Sequence, residues 1–176
     1  METLEQKWHR YESGQFPQED LAELVQELGG SSLLNRDIVR NELVNLLSNP
    51  DELVRHNALG ALAYHGVAVD WTSEFGMQLL SGMDVMLRLD EDRDCRRQAA
   101  AAFGSLFKCT KHRGVVNSLG RVCLNSQEED DVRAFAYAAM LNVICVPMKV
   151  QPNPVGLKLG RVELSQVQTH MTDYPE

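Results

Sequence analysis

Positive charge is short in this chain: 17 lysines and arginines face 25 aspartates and glutamates, a formal net charge of −8 with a pI near 5.1. A protein that tracks nucleic-acid phosphates needs a clustered positive field, so no nucleic-acid partner is expected. Long apolar runs are missing as well. No stretch approaches the roughly 20 residues that cross a bilayer, and the N-terminal METLEQKWHRYESG is charged where a secretory signal carries its apolar centre. No CxxC occurs: Cys95, Cys109, Cys123 and Cys145 are widely spaced in apolar helical patterns. They are expected to be reduced thiols that serve as small hydrophobes. A Gly-rich phosphate loop, G-x-S-x-G and H-E-x-x-H are all absent. These absences leave a soluble, acidic, cytoplasmic protein with no membrane contact, no catalytic residue, no metal and no cofactor expected. At 176 residues, 44% of them hydrophobic and 24% charged, the chain suits one globular domain.

What is there is a repeat. Asp51, Val54, Arg55, Ala58, Ala61 and Leu62 recur as Asp92, Cys95, Arg96, Ala99, Ala102 and Phe103, and again as Glu129, Val132, Arg133, Ala136, Ala139 and Met140. Arg55 to Arg96 is 41 positions and Arg96 to Arg133 is 37, a period typical of stacked helix pairs. The apolar positions of each copy share one face of a 3.6-residue helix, with His65, Leu106 and Val143 next on that stripe. An amphipathic first helix precedes each copy, over roughly 36–48, 74–89 and 113–125, and the turns NPDE, DEDRD and NSQEED supply helix-start chemistry.

A helix pair whose second helix begins acid-x-x-V/C-R-x-x-A-x-x-A-L/F/M resembles a HEAT repeat, in particular the phycobilisome-lyase type. The expected fold is therefore all-α, a short right-handed α-solenoid of stacked antiparallel hairpins over 1–146. It comprises a cap (1–30) and repeats at 33–66, 73–108 and 111–146. After Pro147 the prolines at 147, 152 and 154 and the weak alternation of VGLKLGRVEL predict an extended, non-helical tail over 147–176, disordered or laid along the solenoid surface, the second being favoured by its aliphatic residues.

Recurrence in every copy makes the acid and arginine a structural pair, since one active site would not be written three times. In HEAT-type repeats such arginines form a ladder to carboxylates of their own or a neighbouring unit. The turns also carry more acid than a helix start uses: Asp51 and Glu52, then Asp90, Glu91, Asp92 and Asp94, then Glu128, Glu129, Asp130 and Asp131. The surplus predicts an acidic ridge that steers a basic partner. On the outward face of the second helices lie His56, Gly60 and Ala63, then Arg97, Ala101 and Gly104, then Ala134, Ala138 and Leu141. These small residues either admit a close neighbour, be it the tail, a partner or a second copy of the chain, or reflect alanine's helix preference. Tyr64, Phe135 and Tyr137 stand beside them as aromatic anchors.

Cys109 and His112 have ligand-like spacing without a second pair, His65 reads as a partly buried core-stripe residue, and Lys108, Lys111, His112 and Arg113 read as a solvated basic turn. The resemblance implies no iron site, because HEAT-like hydroxylases carry His-Glu dipeptides and none occur here. The expected function is a non-enzymatic protein–protein interaction module, an adaptor or immunity-type protein whose concave face and acidic edge bind a basic protein. A tetrapyrrole-lyase-related or chaperone-like role is the alternative that the family resemblance offers. DNA binding like that of HEAT-like glycosylases conflicts with the charge.

Overall fold

A computed structural model describes residues 2–65 and 68–174. Among them every regular element is helical: α1 (Leu4–Glu12), α2 (Leu21–Leu28), α3 (Asp37–Asn45), α4 (Glu52–Tyr64), α5 (Glu74–Leu89), α6 (Arg93–Leu106), α7 (Arg113–Leu124), α8 (Asp130–Val143) and α9 (Arg161–Asp173), with short 3-10 turns between some of them. No helix among the described residues is long and apolar enough to cross a membrane. The chain divides into two compact units, Met1–Gly82 and Met83–Glu176, with the division inside α5.

In the first unit, α1 starts at a capping box in which Thr3 and Gln6 exchange side-chain-to-backbone bonds, and it buries Trp8. Leu21, Leu24, Val25 and Leu28 give α2 one apolar stripe, and that helix packs on α4. Asn57 of α4 adds a polar tie by donating to the Ala22 carbonyl at 2.9 Å. The Asp51 side chain caps α4 by accepting from the Leu53 N–H at 2.8 Å. The stripe residue His65 is a correction to the sequence reading: it is exposed, just past the end of α4. Its ring lies beside the backbone of Gly29 and Gly30, where any Cβ on Gly29 would come within 3.1 Å of Nε2.

In the second unit, Asp92 caps α6 through the Cys95 N–H at 2.8 Å, and the Nδ1 of His112 caps α7 through the Val115 N–H at 3.3 Å. Helix α8 packs against both α6 and α7. The repeated stripe is buried in all three copies: Val54, Ala58, Ala61 and Leu62, Cys95, Ala99, Ala102 and Phe103, and Val132, Ala136, Ala139 and Met140. Arg55 donates from Nη1 to the carbonyls of Asn49 and Pro50 at 2.8 and 3.0 Å. Arg96 repeats this with Asp90 and Glu91 at 2.8 and 3.1 Å. Arg133 departs from the pattern and donates from Nε to the Cys123 carbonyl at 2.9 Å. Its turn is longer, running from Asn125 to the cap residue Glu129, so the turn carbonyls lie elsewhere.

The tail corrects the sequence reading. Residues 147–160 are non-helical apart from one 3-10 turn at Met148–Val150, but Arg161–Asp173 is an α-helix. The apparent alternation of VGLKLGRVEL straddles Gly160, the residue that starts α9 and whose N–H donates to the Glu163 carboxylate at 2.9 Å. Downstream, Leu164, Val167, Met171 and Tyr174 follow helical spacing, with Val167 fully buried. Helix α9 packs on α7, and Asn117 donates to the Tyr174 carbonyl at 3.1 Å. Covered by α8 and α9, α7 buries Val115 through Gly120 without a break.

Two glycines mark the closest approaches in this unit. A Cβ on Gly104 of α6 would lie 2.8 Å from the Ala139 Cα of α8, backbone that cannot step aside. One on Gly120 would instead meet the Met171 Sδ, the far end of a flexible side chain. Gly104→Ala is therefore expected to destabilise the protein by about 1–3 kcal/mol despite alanine's better helix propensity. Gly120→Ala should cost clearly less. Urea denaturation of both variants checks this, and a Gly104→Ala protein as stable as the parent would refute the close packing.

Candidate functional site

The second unit gathers most of the residues expected to meet a partner. Arg93, Arg96 and Arg97 fall within one turn and a half of α6, and the acids of the neighbouring turn and of α8 answer them. Arg96 donates to Glu128 at 2.9 Å from side chains only 11% and 9% exposed, and also reaches Glu129. Arg97 lies 3.2 Å from Asp94 and 3.6 Å from Asp131, and Arg93 lies 3.6 Å from each of the same two acids. Asp130 is bridged by Lys158 at 3.2 Å and by Arg133 at 3.8 Å. Asp90 and Asp92 are occupied within their turn, Asp90 accepting from the Asp92 N–H at 2.9 Å and Asp92 capping α6. Of the acids expected to form a ridge, those at 94, 128, 129, 130 and 131 thus meet the chain's own cations, Asp90 and Asp92 meet turn N–H groups, and Glu91 is exposed at the turn.

Crowding two carboxylates on one guanidinium splits their titration. Burial, then a hydrogen bond shared with Glu129, hold the Glu128 carboxyl above its ordinary value. That same bond, followed by a backbone N–H and Arg96, holds Glu129 down at about 2. Glu128 is the proton keeper of the pair.

The outward small residues divide. Ala63, Gly104, Ala134, Tyr137 and Leu141 are buried, so the structure corrects their assignment to a partner face. For Gly104 the close neighbour is α8, and for Tyr137 it is α9, where its hydroxyl donates to the Gln166 side chain. In the first unit, His56 and Gly60 are half-buried and Tyr64 is half-exposed on α4. In the second, Arg97, Ala101, Phe135 and Ala138 remain accessible. The Arg97 guanidinium stacks 5.5 Å above the Phe135 ring.

Beside that stack opens a groove of about 410 Å³. Ala101, Phe135, Ala138, Ala139 and Asn142 line its helical side, and Met148, Gln151, Pro152, Asn153 and Pro154 line the other. Gln151 holds the loop in place by donating to the Asn142 side chain at 2.9 Å and the Val146 carbonyl at 2.7 Å. Sequence reasoning missed the loop side because the prolines read as the start of a tail; their cluster was the available signal. A second, polar concavity of about 620 Å³ belongs to the first unit and is lined by Asp37 and Arg40 of α3, by Asp70 and Ser73, and by Glu74 and Phe75 of α5. Arg40 pairs with Asp37 and stacks 5.6 Å over Phe75. Hydrogen bonds from Thr72 hold the Asp70 carboxyl below its ordinary value. No group of three or more His, Cys, Asp or Glu among the described residues is placed to hold a metal ion.

The cysteines split as well, and half of the expectation is corrected. Cys95 and Cys123 are buried and outside any disulfide, and burial pushes Cys123 up to about 12, far from reactivity. Cys109 and Cys145 form a disulfide across 36 residues. They follow the ends of α6 and α8 by three and two residues, so packing of the two helices brings them together.

No protein-family model matches this chain, and no curated protein or solved structure does.

Replacing Arg96 by Met should cost about 3 kcal/mol, because Glu128 stays buried without its cation. The same change should raise the Glu129 midpoint part of the way from about 2, because the Glu128 bond that lowers it most remains. A depressed carboxylate stabilises the fold above its unfolded pKa, and that contribution is lost as pH falls through the folded value. The variant should therefore show a weaker acid-induced loss between pH 4.5 and about 2. Carboxyl NMR titration reads both groups; an unmoved Glu129 midpoint would refute the shared site.

Proposed function

We propose that this chain is a non-enzymatic protein–protein interaction module, built as a short HEAT-like α-solenoid, that receives an extended segment of a basic partner in the Ala101–Phe135–Pro152 groove. The observation that carries the reading is the chemistry of the groove lining. It offers an aromatic ring, alanines, prolines and a methionine, with the amides of Asn142, Gln151 and Asn153 at the edges. Apolar walls with a few polar groups suit recognition of a segment: side chains seat against Phe135 and the prolines, and the amides meet a peptide main chain. The lining contains no titratable or nucleophilic side chain that could serve as an acid, base or nucleophile.

The HEAT-like part of the proposal draws support from the arginines. Arg55 and Arg96 meet turn carbonyls five and six residues earlier with nearly equal lengths. The preference for a basic partner draws on the net charge of −8. Because the ridge acids are internally paired, charge acts here on approach more than on affinity.

A displayed peptide library selected on the protein tests the groove. The expected result is a set of related peptides with an apolar anchor and flanking lysine or arginine, whose affinity drops at least about tenfold, some 1.4 kcal/mol, in Ala138→Arg. That arginine would fill the floor while its backbone keeps helical geometry. No enrichment over an unrelated control protein, or equal binding by the variant, would overturn the proposal.

A further inference from the structure

We propose that the Cys109–Cys145 disulfide is a reversible redox site, reducible in the folded protein by an anionic low-molecular-weight thiol such as glutathione, and that its reduction frees the 146–160 segment that walls the groove.

Both cysteines are solvent-exposed, whereas Cys95 and Cys123 are buried. Attack on a disulfide needs access to a sulfur, so thiols in solution can reach this pair without unfolding the core. The backbone here is unusual too. Cys109, Lys111 and Cys145 have φ of 60, 55 and 70°, and they are the non-glycine residues with positive φ among the described part of the chain. Side chains with a Cβ disfavour that region, and such residues persist where their surroundings hold them. Here the crosslink acts together with two backbone bonds, Cys109 N–H to the Asn142 carbonyl and Lys111 N–H to the Val143 carbonyl, both 3.0 Å.

The basic turn left over from the sequence finds a role. Lys108, Lys111, His112 and Arg113 flank Cys109 in the chain and are all exposed. They attract an anionic thiol and favour Cys109 as the departing thiolate. The external thiolate attacks Cys145 Sγ, the protein S–S bond breaks, and Cys109 leaves as thiolate and takes a proton from water. A second external thiolate then attacks the external sulfur of the mixed disulfide, releasing Cys145 as a thiol after protonation. Two external thiols are oxidised to one disulfide, and the protein disulfide gains the two electrons.

The consequence lies one residue downstream. Cys145 opens the segment that carries Met148, Gln151, Pro152, Asn153 and Pro154 to the groove. Much of that segment stands in solvent, with Met148 73%, Val150 65% and Val155 74% exposed. Its start is held by the Gln151 bonds, the Cys145 N–H to the Asn142 carbonyl at 3.1 Å, the Val146 N–H to the Leu141 carbonyl at 2.9 Å and the disulfide, and Lys158 meets Asp130 near its far end. The effect on partner binding rests on the groove reading above; the reduction itself does not.

The test titrates the full-length native protein against a glutathione couple, quenches with acid, alkylates and maps the labels by mass spectrometry. Hydrogen exchange is followed in parallel. The expected result is labelling of Cys109 and Cys145 alone at millimolar thiol, with unchanged helical circular dichroism and exchange over 146–160 faster by about tenfold. Cys145→Ser should show the same fast exchange without reductant. Reversing charge at Lys108 and Lys111 should slow reduction by glutathione more than reduction by neutral mercaptoethanol. A disulfide that survives until denaturant is added, labelling of all four cysteines together, or unchanged exchange after reduction would each overturn the proposal. Equal slowing for both thiols would overturn the role of the basic turn. A protein that reduces and loosens as expected but selects no peptide would overturn the groove reading alone.

Discussion

The close approach of α6 and α8 is the constraint on which the second unit depends. It is possible because position 104 has no side chain and position 139 has only a methyl, so the two backbones meet where a larger residue would hold them apart. That distance sets what sits opposite what. It brings Arg96 to Glu128 and Glu129, Arg97 to Asp131 and onto the Phe135 ring, and Cys109 to Cys145. It also forms the alanine floor at 101, 138 and 139 beside which the groove opens. Packing of small residues is inexpensive in side-chain entropy and unforgiving in geometry, because backbones cannot rotate out of a clash as side chains can.

The helices were legible in the residues because both periodicity and start signals agreed. Asp51 and Asp92 each cap the helix that their spacing marks, and the twelve stripe residues of the three copies are all buried. Legibility failed where a feature depends on what lies across from it. The repeated arginine and acid read as a pair, but the surplus acids read as an outward ridge; that Arg93 and Arg97 also meet them is a matter of helix packing, which no linear pattern states. Tyr137 and Leu141 had the right residue type for a binding face but lie beneath other elements. Cys109 and Cys145 lack any local motif, and they stand 13 and 12 positions after their repeat arginines, out of step by one. Helix α9 was hidden by an apparent strand alternation that crosses its own starting glycine.

Charge in this chain does more internal than external work. The second unit answers the acids at 94, 128, 129, 130 and 131 with cations of its own. Most of these pairs are partly exposed, where each is worth little, while the sheltered Arg96–Glu128 pair fixes alignment of α6 with the turn before α8. The groove beside Phe135 is by contrast apolar and small, with three side-chain amides in its lining.

The disulfide also shapes how the chain responds to force. Cys109 and Cys145 close a covalent ring around α7 and α8, 36 residues apart in sequence. Pulled from both ends, an oxidised chain withholds roughly 120 Å of contour length that a reduced one would release. A machine that threads the polypeptide through a narrow pore would meet this ring as two strands abreast, so the oxidised protein resists threaded unfolding at a point where its helices alone would not.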